Sequence, residues 1–322
     1  MLKHKFYGPS YNQNQCVPPN GVRNSSLTMA AAGGGRGGEK ASTSGCGLKR
    51  RHAATAHEEA AAQHQPPVQA RWSNGMDLLT DITENKHFLP TGLDGIDMLL
   101  GGGLRQGQLT EITGPSSSGK TQLCLSAASH VAARHMGAVM YLDTSNSFSP
   151  GRIASIVDEC YSPSAREPKN VRLEKVMRSI ICEPVFDIFA LSEVLHRLEV
   201  SLLNDKVKAD GTKICMLIID SVSSLIAPII GGKYPQGRSM MMSVAVVLKK
   251  LADEHSLSVL VTNHMVSAGN GALKPALGQS WRTVPHVRLM LSHDRQRHVC
   301  TATVLKHTRQ ASGRTIKFVV PG

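Results

Sequence analysis

Apolar residues in this chain come in two textures. Before about Thr83 they are scattered without period, whereas after it they gather into short blocks of two kinds. One kind is a continuous apolar run, as in Ile214-Cys215-Met216-Leu217-Ile218-Ile219. A run of that length, rich in β-branched residues, predicts a strand covered on both faces. The other kind repeats at helical spacing. On these signals we expect strands near residues 108–113, 138–142, 179–182, 214–219, 257–262 and 286–291, with two more near 298–306 and 315–320. We expect helices near 120–134, 150–160, 186–203 and 238–254. Strands that alternate with helices predict an α/β fold whose mainly parallel sheet carries helices on both faces. The last two strands alternate apolar with polar and flank Gln310-Ala311-Ser312-Gly313, which predicts a C-terminal antiparallel hairpin. Upstream, the run from Phe88 to Leu100 reads as a turn and short helix, closed by Gly101-Gly102-Gly103.

Residues 1–84 have the composition of a disordered tail and linker, and residues 85–322 that of a single core domain. The tail holds a Gly/Ala tract at 30–38 and Pro66-Pro67, too little to offset the entropy of ordering. It has no Asp or Glu before Glu39, a faint likeness to an organelle transit peptide. Lys49-Arg50-Arg51-His52 offers a short basic patch of the kind read by nuclear import. Met29-Ala30-Ala31-Ala32 reads as an internal start, which would leave residues 1–28 out of the working protein.

The net charge is +12 over 322 residues. Part of the excess is in the tail, where Lys3, Lys5, Arg23, Arg36, Lys40, Lys49, Arg50 and Arg51 face only Glu39, Glu58 and Glu59 before residue 71. The remainder falls on the core, which suits a polyanionic partner such as nucleic acid. The 7 cysteines form no C-x-x-C pair and the 14 histidines show no ligand spacing, so neither a disulfide framework nor zinc is expected. No apolar run reaches the length of a membrane span.

The chemistry is concentrated at Gly114-Pro115-Ser116-Ser117-Ser118-Gly119-Lys120-Thr121, which has the form G-x-x-x-x-G-K-T. Glycines let the backbone curl its N–H groups toward an anion; Lys120 adds a cation at the outer phosphates and Thr121 a hydroxyl for Mg²⁺. The context is right, because a β-rich run, Gln108-Leu109-Thr110-Glu111-Ile112-Thr113, precedes it and a helix-period segment follows. The helix start aims its positive end at the same place. These residues predict a nucleoside triphosphate site. Asp220 ends the buried run 214–219 where such sheets bind ligands, and there it can hold Mg²⁺ opposite Thr121. The strand near 257–262 ends in Thr262-Asn263-His264. His264 has two readings, a sensor of the γ-phosphate or a plain turn residue.

These strand ends, in this order, resemble the RecA family of DNA recombination ATPases over about residues 85–320. The likeness is densest in Leu93-Asp94-Gly95-Ile96-Asp97, residues 114–122, Tyr141-Leu142-Asp143-Thr144, residues 217–221 and residues 261–264. Phe186-Asp187-Ile188-Phe189, Pro228-Ile229-Ile230-Gly231-Gly232 and the run from Leu273 to Trp281 are similar to the D-type paralogue branch of the eukaryotic strand-exchange recombinase. The resemblance implies ATP and Mg²⁺ as cofactors, single-stranded or branched DNA and sister paralogues as partners, and homologous-recombination repair in the nucleus. It implies that Lys120 and His264 act on the phosphates, that residues 114–121 and Arg152 hold ATP with Arg152 against the adenine, and that Thr121 and Asp220 hold the metal. It matches residues 228–240 and 265–282 to the family's two DNA-facing loops, with Lys233, Arg238, Lys274 and Arg282 as phosphate contacts. Trp281 has two readings, a stacking platform for a base or core packing.

The pattern breaks in two places. Active family recombinases carry Asp-Thr-Glu-Gly after the second core strand, where the Glu positions water; here Ser145 stands at that position. Loss of a general base costs roughly 10²–10⁴ in rate, so slow hydrolysis is expected. The family's helical N-terminal domain has no counterpart in residues 1–70. Lys306 and Arg309 are the candidates to reach a neighbouring subunit's site. The alternative function is a DNA-stimulated ATPase with strand exchange of its own. A small-molecule kinase would need an arginine-rich lid between residues 150 and 210, and none is visible there.

Overall fold

The computed structural model describes residues 74–76, 79–80, 88–160, 167–204, 212–230, 236–268, 271–294, 296–297 and 299–319. Apart from a few exposed positions between 74 and 80, the tail expected over 1–84 lies outside these residues, as do the basic patch at 49–52, the internal start at Met29 and the loop residue Lys233.

The first described unit is small. Strands β1 (Phe88–Leu89) and β2 (Leu104–Arg105) pair antiparallel and bracket helix α1 (Asp94–Leu100). The helix stops because Gly101 takes the left-handed conformation, φ 78°, and turns its N–H back onto the carbonyls of Asp97 and Met98.

The remaining strands are β3 (Leu109–Gly114), β4 (Ala138–Asp143), β5 (Ile180–Pro184), β6 (Ile214–Asp220), β7 (Ser258–Ser267), β8 (Leu273–Pro275), β9 (Val287–Asp294), β10 (Val299–Lys306) and β11 (Thr315–Phe318). They form one sheet in the order β11-β10-β9-β3-β7-β6-β4-β5, with β8 pairing only with β7. From β5 to β9 every neighbour is parallel; β10 and β11 close the other edge antiparallel. Helices α2 (Lys120–Ala133), α3 (Pro150–Cys160), α4 (Lys169–Ser179), α5 (Ile188–Leu203), α6 (Val222–Ile230), α7 (Gln236–His255) and α8 (Gly278–Arg282) complete the chain.

Two apolar cores lie on opposite faces of the sheet. One joins α1, α2, α3 and α4 to Ile112, Tyr141 and Ile218. The other joins α5, α6, α7 and Trp281 to Leu109, Leu142, Leu217 and Val261. Successive strand residues therefore alternate between two dry layers, which is why the parallel strands read as continuous apolar runs. The mainly parallel sheet with helices on both faces and an antiparallel C-terminal hairpin is the expected architecture.

Several local expectations are corrected. Strand β3 reads in sequence as an alternating run of apolar and polar residues, yet all six of its residues are buried. It is the central strand, paired with β7 on one side and β9 on the other, so its polar residues Thr110, Glu111 and Thr113 must find partners inside. Helix α4 was not expected. Only Val176 on it is fully buried, with Leu173 and Met177 packed partly, so its apolar stripe is too thin to stand out. Most of the first DNA-facing loop, expected over 228–240, is helical, because α6 continues through Pro228 to Ile230 and α7 begins at Gln236.

Candidate nucleotide site

The loop between β3 and α2 has the backbone its sequence demands. Ser117 and Gly119 both take positive φ, 61° and 93°, which turns the chain tightly into the helix start. Gly114 has no room for a side chain, since a Cβ there would lie 2.5 Å from the Leu291 carbonyl oxygen and 2.5 Å from Ser118 Oγ. The loop, Thr121, Gln122, Ser145, Asp220, His264, His293 and Cys300 line a cavity of about 450 Å³. The structure thus brings residues 116–121, Asp220 and His264 together, with Gly114 and Pro115 just beneath.

Lys120 is almost fully buried, and its Nζ donates to the carbonyls of Gly114 at 2.9 Å and Pro115 at 2.8 Å. Burial lowers the pKa of its ammonium, while nearby Asp220 acts in the opposite sense. Asp220 is also buried, and its carboxylate accepts from the hydroxyls of Tyr141 and Thr262, both neutral donors. A buried carboxylate held only by neutral donors and beside a lysine keeps negative charge in reach of the cavity. The geometry suits a metal-bound anion.

Whether ATP and Mg²⁺ fit can be tested on one atom. Ser118 Oγ is buried in the loop with no hydrogen-bond partner. Such an atom costs about 1–3 kcal/mol when left unmatched, and an oxyanion in the loop would match it. With the Lys120 cation and the Thr121 hydroxyl beside it, the donor set fits a polyphosphate, and Asp220 with Thr121 fits its metal.

A chain of hydroxyls leads away from Asp220. Thr144 Oγ1 meets Ser224 Oγ at 2.6 Å and accepts from the Ser221 N–H, also at 2.6 Å. Ser221 Oγ in turn meets His264 Nε2 at 2.7 Å, and Ser223 Oγ accepts from the His264 N–H at 2.8 Å. Burial and the Lys120 charge lower the His264 pKa, so its ring is neutral at neutral pH.

Ser145 lines the cavity and donates its hydroxyl to Ser147. The neighbouring carboxylate is committed elsewhere: Asp143 accepts from the N–H groups of Ser145 and Ser147 at 3.1 Å and of Phe148 at 2.8 Å. It caps the turn after β4 and is not free to act as a base. Arg152 lies on α3, where its Nε donates to Gln122 Oε1 at 2.9 Å beside a second hollow of about 210 Å³. Gln122 lines both hollows, so Arg152 is one side chain away from the loop.

The described residues expected to meet DNA lie on three different elements. Lys274 is exposed on β8, in the hairpin that β7 and β8 extend past the sheet. Arg238 is exposed in the first turn of α7, and Arg282 is exposed at the end of α8. Trp281 is no stacking platform: it is fully buried, and its Nε1 donates to Glu111 Oε1 at 2.9 Å. Lys306 and Arg309 are engaged within the chain. Lys306 Nζ donates to the carbonyls of Thr283 and Pro285, and Arg309 lies over the Phe88 ring at 5.3 Å.

Four contributors were missed. Tyr141 and Thr262 lay within motifs already singled out, but nothing marked them as the partners of Asp220. His293 and Cys300 had no sequence signal at all. They face each other across β9 and β10, and only that register brings them to the cavity.

Comparison with known proteins places this geometry. The Rad51 family profile matches residues 85–302. The chain is 38% identical over 219 residues to the "DNA repair protein RAD51 homolog 4" of Bos taurus, covering 68% of this chain and 65% of that protein, just under two thirds of its length. It is 33% identical to the protein of the same name in Mus musculus, over 74% of this chain and 73% of that one. It is 28% identical over 192 residues to the "DNA repair and recombination protein RadB" of Pyrococcus furiosus. With that match and a phosphate loop set in a mainly parallel sheet, the chain belongs to the Rad51 family.

Proposed function

We propose that this chain binds ATP with Mg²⁺ and binds DNA, and that it serves as an assembly subunit with sister recombinase paralogues in homologous-recombination repair in the nucleus. Its hydrolysis of ATP is slow. The observation that carries this reading is the contrast within one cavity. The binding half is complete, with Lys120, Thr121, Asp220 and the unmatched Ser118 hydroxyl. The hydrolytic half is not, since Ser145 offers no base and Asp143 is tied into the turn.

When bound, Mg·ATP supplies a scissile γ-phosphoryl group and its negative charge. The chain's own residues do the rest. Lys120 and Thr121 orient the phosphates, Thr121 and Asp220 hold the metal, and Arg152 with Gln122 takes the base side. His264 reads the charge through Ser221, and the strand that carries His264 continues directly into the β7–β8 hairpin bearing Lys274. The output is a change in DNA and partner affinity.

Thermal stability with Mg·ATP tests the first half of this reading. Ligand at 100 times its Kd raises stability by roughly 2.7 kcal/mol. An unchanged melting curve would end the nucleotide claim. Single-stranded DNA affinity, with and without Mg·ATP, tests the second half, and it should fall as salt rises. A turnover equal to that of an active recombinase, in protein free of contaminating ATPase, would favour the second reading, a strand-exchange ATPase in its own right.

A further inference from the structure

His264 Nε2 and Ser221 Oγ lie 2.7 Å apart, and with a neutral ring only one of them donates. Counting protons around the serine finds the donor. Ser221 stands immediately before α6, and its Oγ accepts from the Ser224 N–H at 3.3 Å, as a helix-capping hydroxyl does. Ser223 Oγ lies 3.4 Å from the same oxygen. It already accepts from the His264 N–H at 2.8 Å, so its own proton is the one that goes to Ser221. A hydroxyl has two lone pairs and one proton. With both lone pairs of Ser221 taken, its proton remains, and the acceptor closest to it is His264 Nε2.

The reverse arrangement is worse on each count. If Nε2–H donated to Ser221, the serine proton would have to turn to Ser223 Oγ at 3.4 Å, and the Ser223 proton would lose the one acceptor it has among the described residues. A neutral imidazole carries a single ring proton, which therefore sits on Nδ1. Among the described residues no group accepts from Nδ1, and His264 lines the nucleotide cavity. The serine is itself pinned. It is buried, its N–H donates to Thr144 Oγ1 at 2.6 Å, and its carbonyl accepts from Ser224 Oγ at 2.7 Å.

We propose that Ser221 is a positioning residue, which fixes His264 in the Nδ1–H tautomer and so makes the ring a donor to a terminal phosphate oxygen while denying its lone pair to water. The inference rests on the γ-phosphate reading of His264 and adds which proton does the reading. A triphosphate supplies the acceptor that Nδ1–H lacks in the protein, whereas a diphosphate leaves that proton to solvent. The same count bears on hydrolysis. The ring nitrogen with a lone pair is the one Ser221 occupies, so His264 cannot stand in for the general base missing at Ser145. An imidazole free in water favours the opposite tautomer, with its proton on Nε2, so removing the serine hydroxyl lets the ring revert.

The test uses the full chain with histidine labelled at both ring nitrogens for nitrogen NMR. In the nucleotide-free protein the two nitrogens of a ring differ in chemical shift according to which one carries the proton, and His264 is assigned by the signals missing from His264→Gln. The parent is expected to show a protonated Nδ1 and a bare Nε2, and Ser221→Ala the reverse. Calorimetry with Mg·ATP and with Mg·ADP then reads the consequence. Ser221→Ala should lose about tenfold in ATP affinity, the scale of one hydrogen bond to a charged acceptor, and keep its ADP affinity. Ser221→Thr, which retains the hydroxyl, should restore both the tautomer and the preference for ATP. A protonated Nε2 in the parent would overturn the proposal even if every variant failed to fold. Equal losses for ATP and ADP in Ser221→Ala would overturn it too, reducing the serine to a prop for its loop. If the parent binds neither nucleotide, the nucleotide reading fails and the phosphate contact with it, while the spectrum still decides the tautomer.

Discussion

Among the carboxylates buried in this sheet, Glu111 and Asp220 are held in opposite ways. Glu111, in the middle of β3, is fully enclosed: one oxygen accepts from Asn263 and Trp281, and the other pairs with the buried guanidinium of Arg288. Asp220, at the end of β6, has two neutral hydroxyl partners and faces the nucleotide cavity. Glu111 neutralises its charge inside the protein and ties β3 to β7, β9 and α8. Asp220 keeps its charge for something that arrives. The number of buried charges therefore says little about function, whereas the identity of the donors around each one says a good deal.

The sharpest way to break this comparison is Glu111→Leu. It strands the Arg288 charge in the core and should cost about 3–5 kcal/mol. That corresponds to a drop in Tm on the order of 10 °C for a domain of this size, read by scanning fluorimetry. Adding Arg288→Met should restore most of the loss, because the pair then leaves together. If the double variant stays as unstable as the single, Glu111 does more than balance Arg288.

Next in size come the nucleotide ligands. Lys120→Ala should remove roughly 2.7 kcal/mol of stabilisation at ligand 100 times the parent's Kd, while leaving the ligand-free Tm near the parent value. Asp220→Asn should likewise lose the Mg²⁺-dependent part of the shift, yet hold or raise the ligand-free Tm, since a buried charge with no cationic hydrogen-bond partner is removed. A ligand-free loss as large as that of Glu111→Leu would erase the distinction between the two carboxylates. Gly114→Ala follows at about 1–3 kcal/mol of overpacking. The new methyl would press on the Leu291 carbonyl and Ser118 Oγ, so the strain should appear as weaker nucleotide binding as well as a lower Tm.

The smallest effect is a pH dependence at the other end of β3. His286 Nδ1 accepts from the Leu109 N–H at 2.9 Å, so the ring must be neutral there. Burial, with Lys249 and Lys306, lowers its folded pKa below the ordinary 6.5. The unfolded chain therefore takes up this proton first, and stability present above pH 6.5 is lost as the pH falls below it. A Tm series from pH 7.5 to 5.5 should decline on this account, and His286→Leu should flatten the decline.

Much of this is legible in the sequence. The phosphate loop announces itself by spacing, and Asp220 by its place at the end of a wholly apolar run. Ser145 was visible as a departure, but the commitment of Asp143 to three backbone N–H groups was not, because a turn's internal hydrogen bonds leave no periodicity. Glu111 was passed over inside an alternating run. A charged residue in such a run reads as solvent-facing, and its partners Arg288 and Trp281 are more than 150 residues away, brought close only by sheet order. The four missed contributors share that cause, since cross-strand register is not written in local sequence. Helix α6 was hidden for a different reason: Pro228 and the glycines after it suggest a loop, although the apolar spacing of Val222, Leu225 and Ile226 is helical.

One strand joins the two halves of the proposed function. β7 is held from Ser258 to Asn263 between buried neighbours, and its last sheet partner in β3 is opposite His264. Beyond that it pairs only with β8. Mechanically it is a cantilever, with a fulcrum at the residue that touches Ser221 and an arm stiffened by a second strand. At about 3.3 Å per residue the arm to Ser267 is roughly 10 Å long, so a tilt of about 5° at the fulcrum carries its end by nearly 1 Å. Small displacements at the phosphate end thus reach Lys274 with their direction preserved, and the arm needs no unfolding to transmit them.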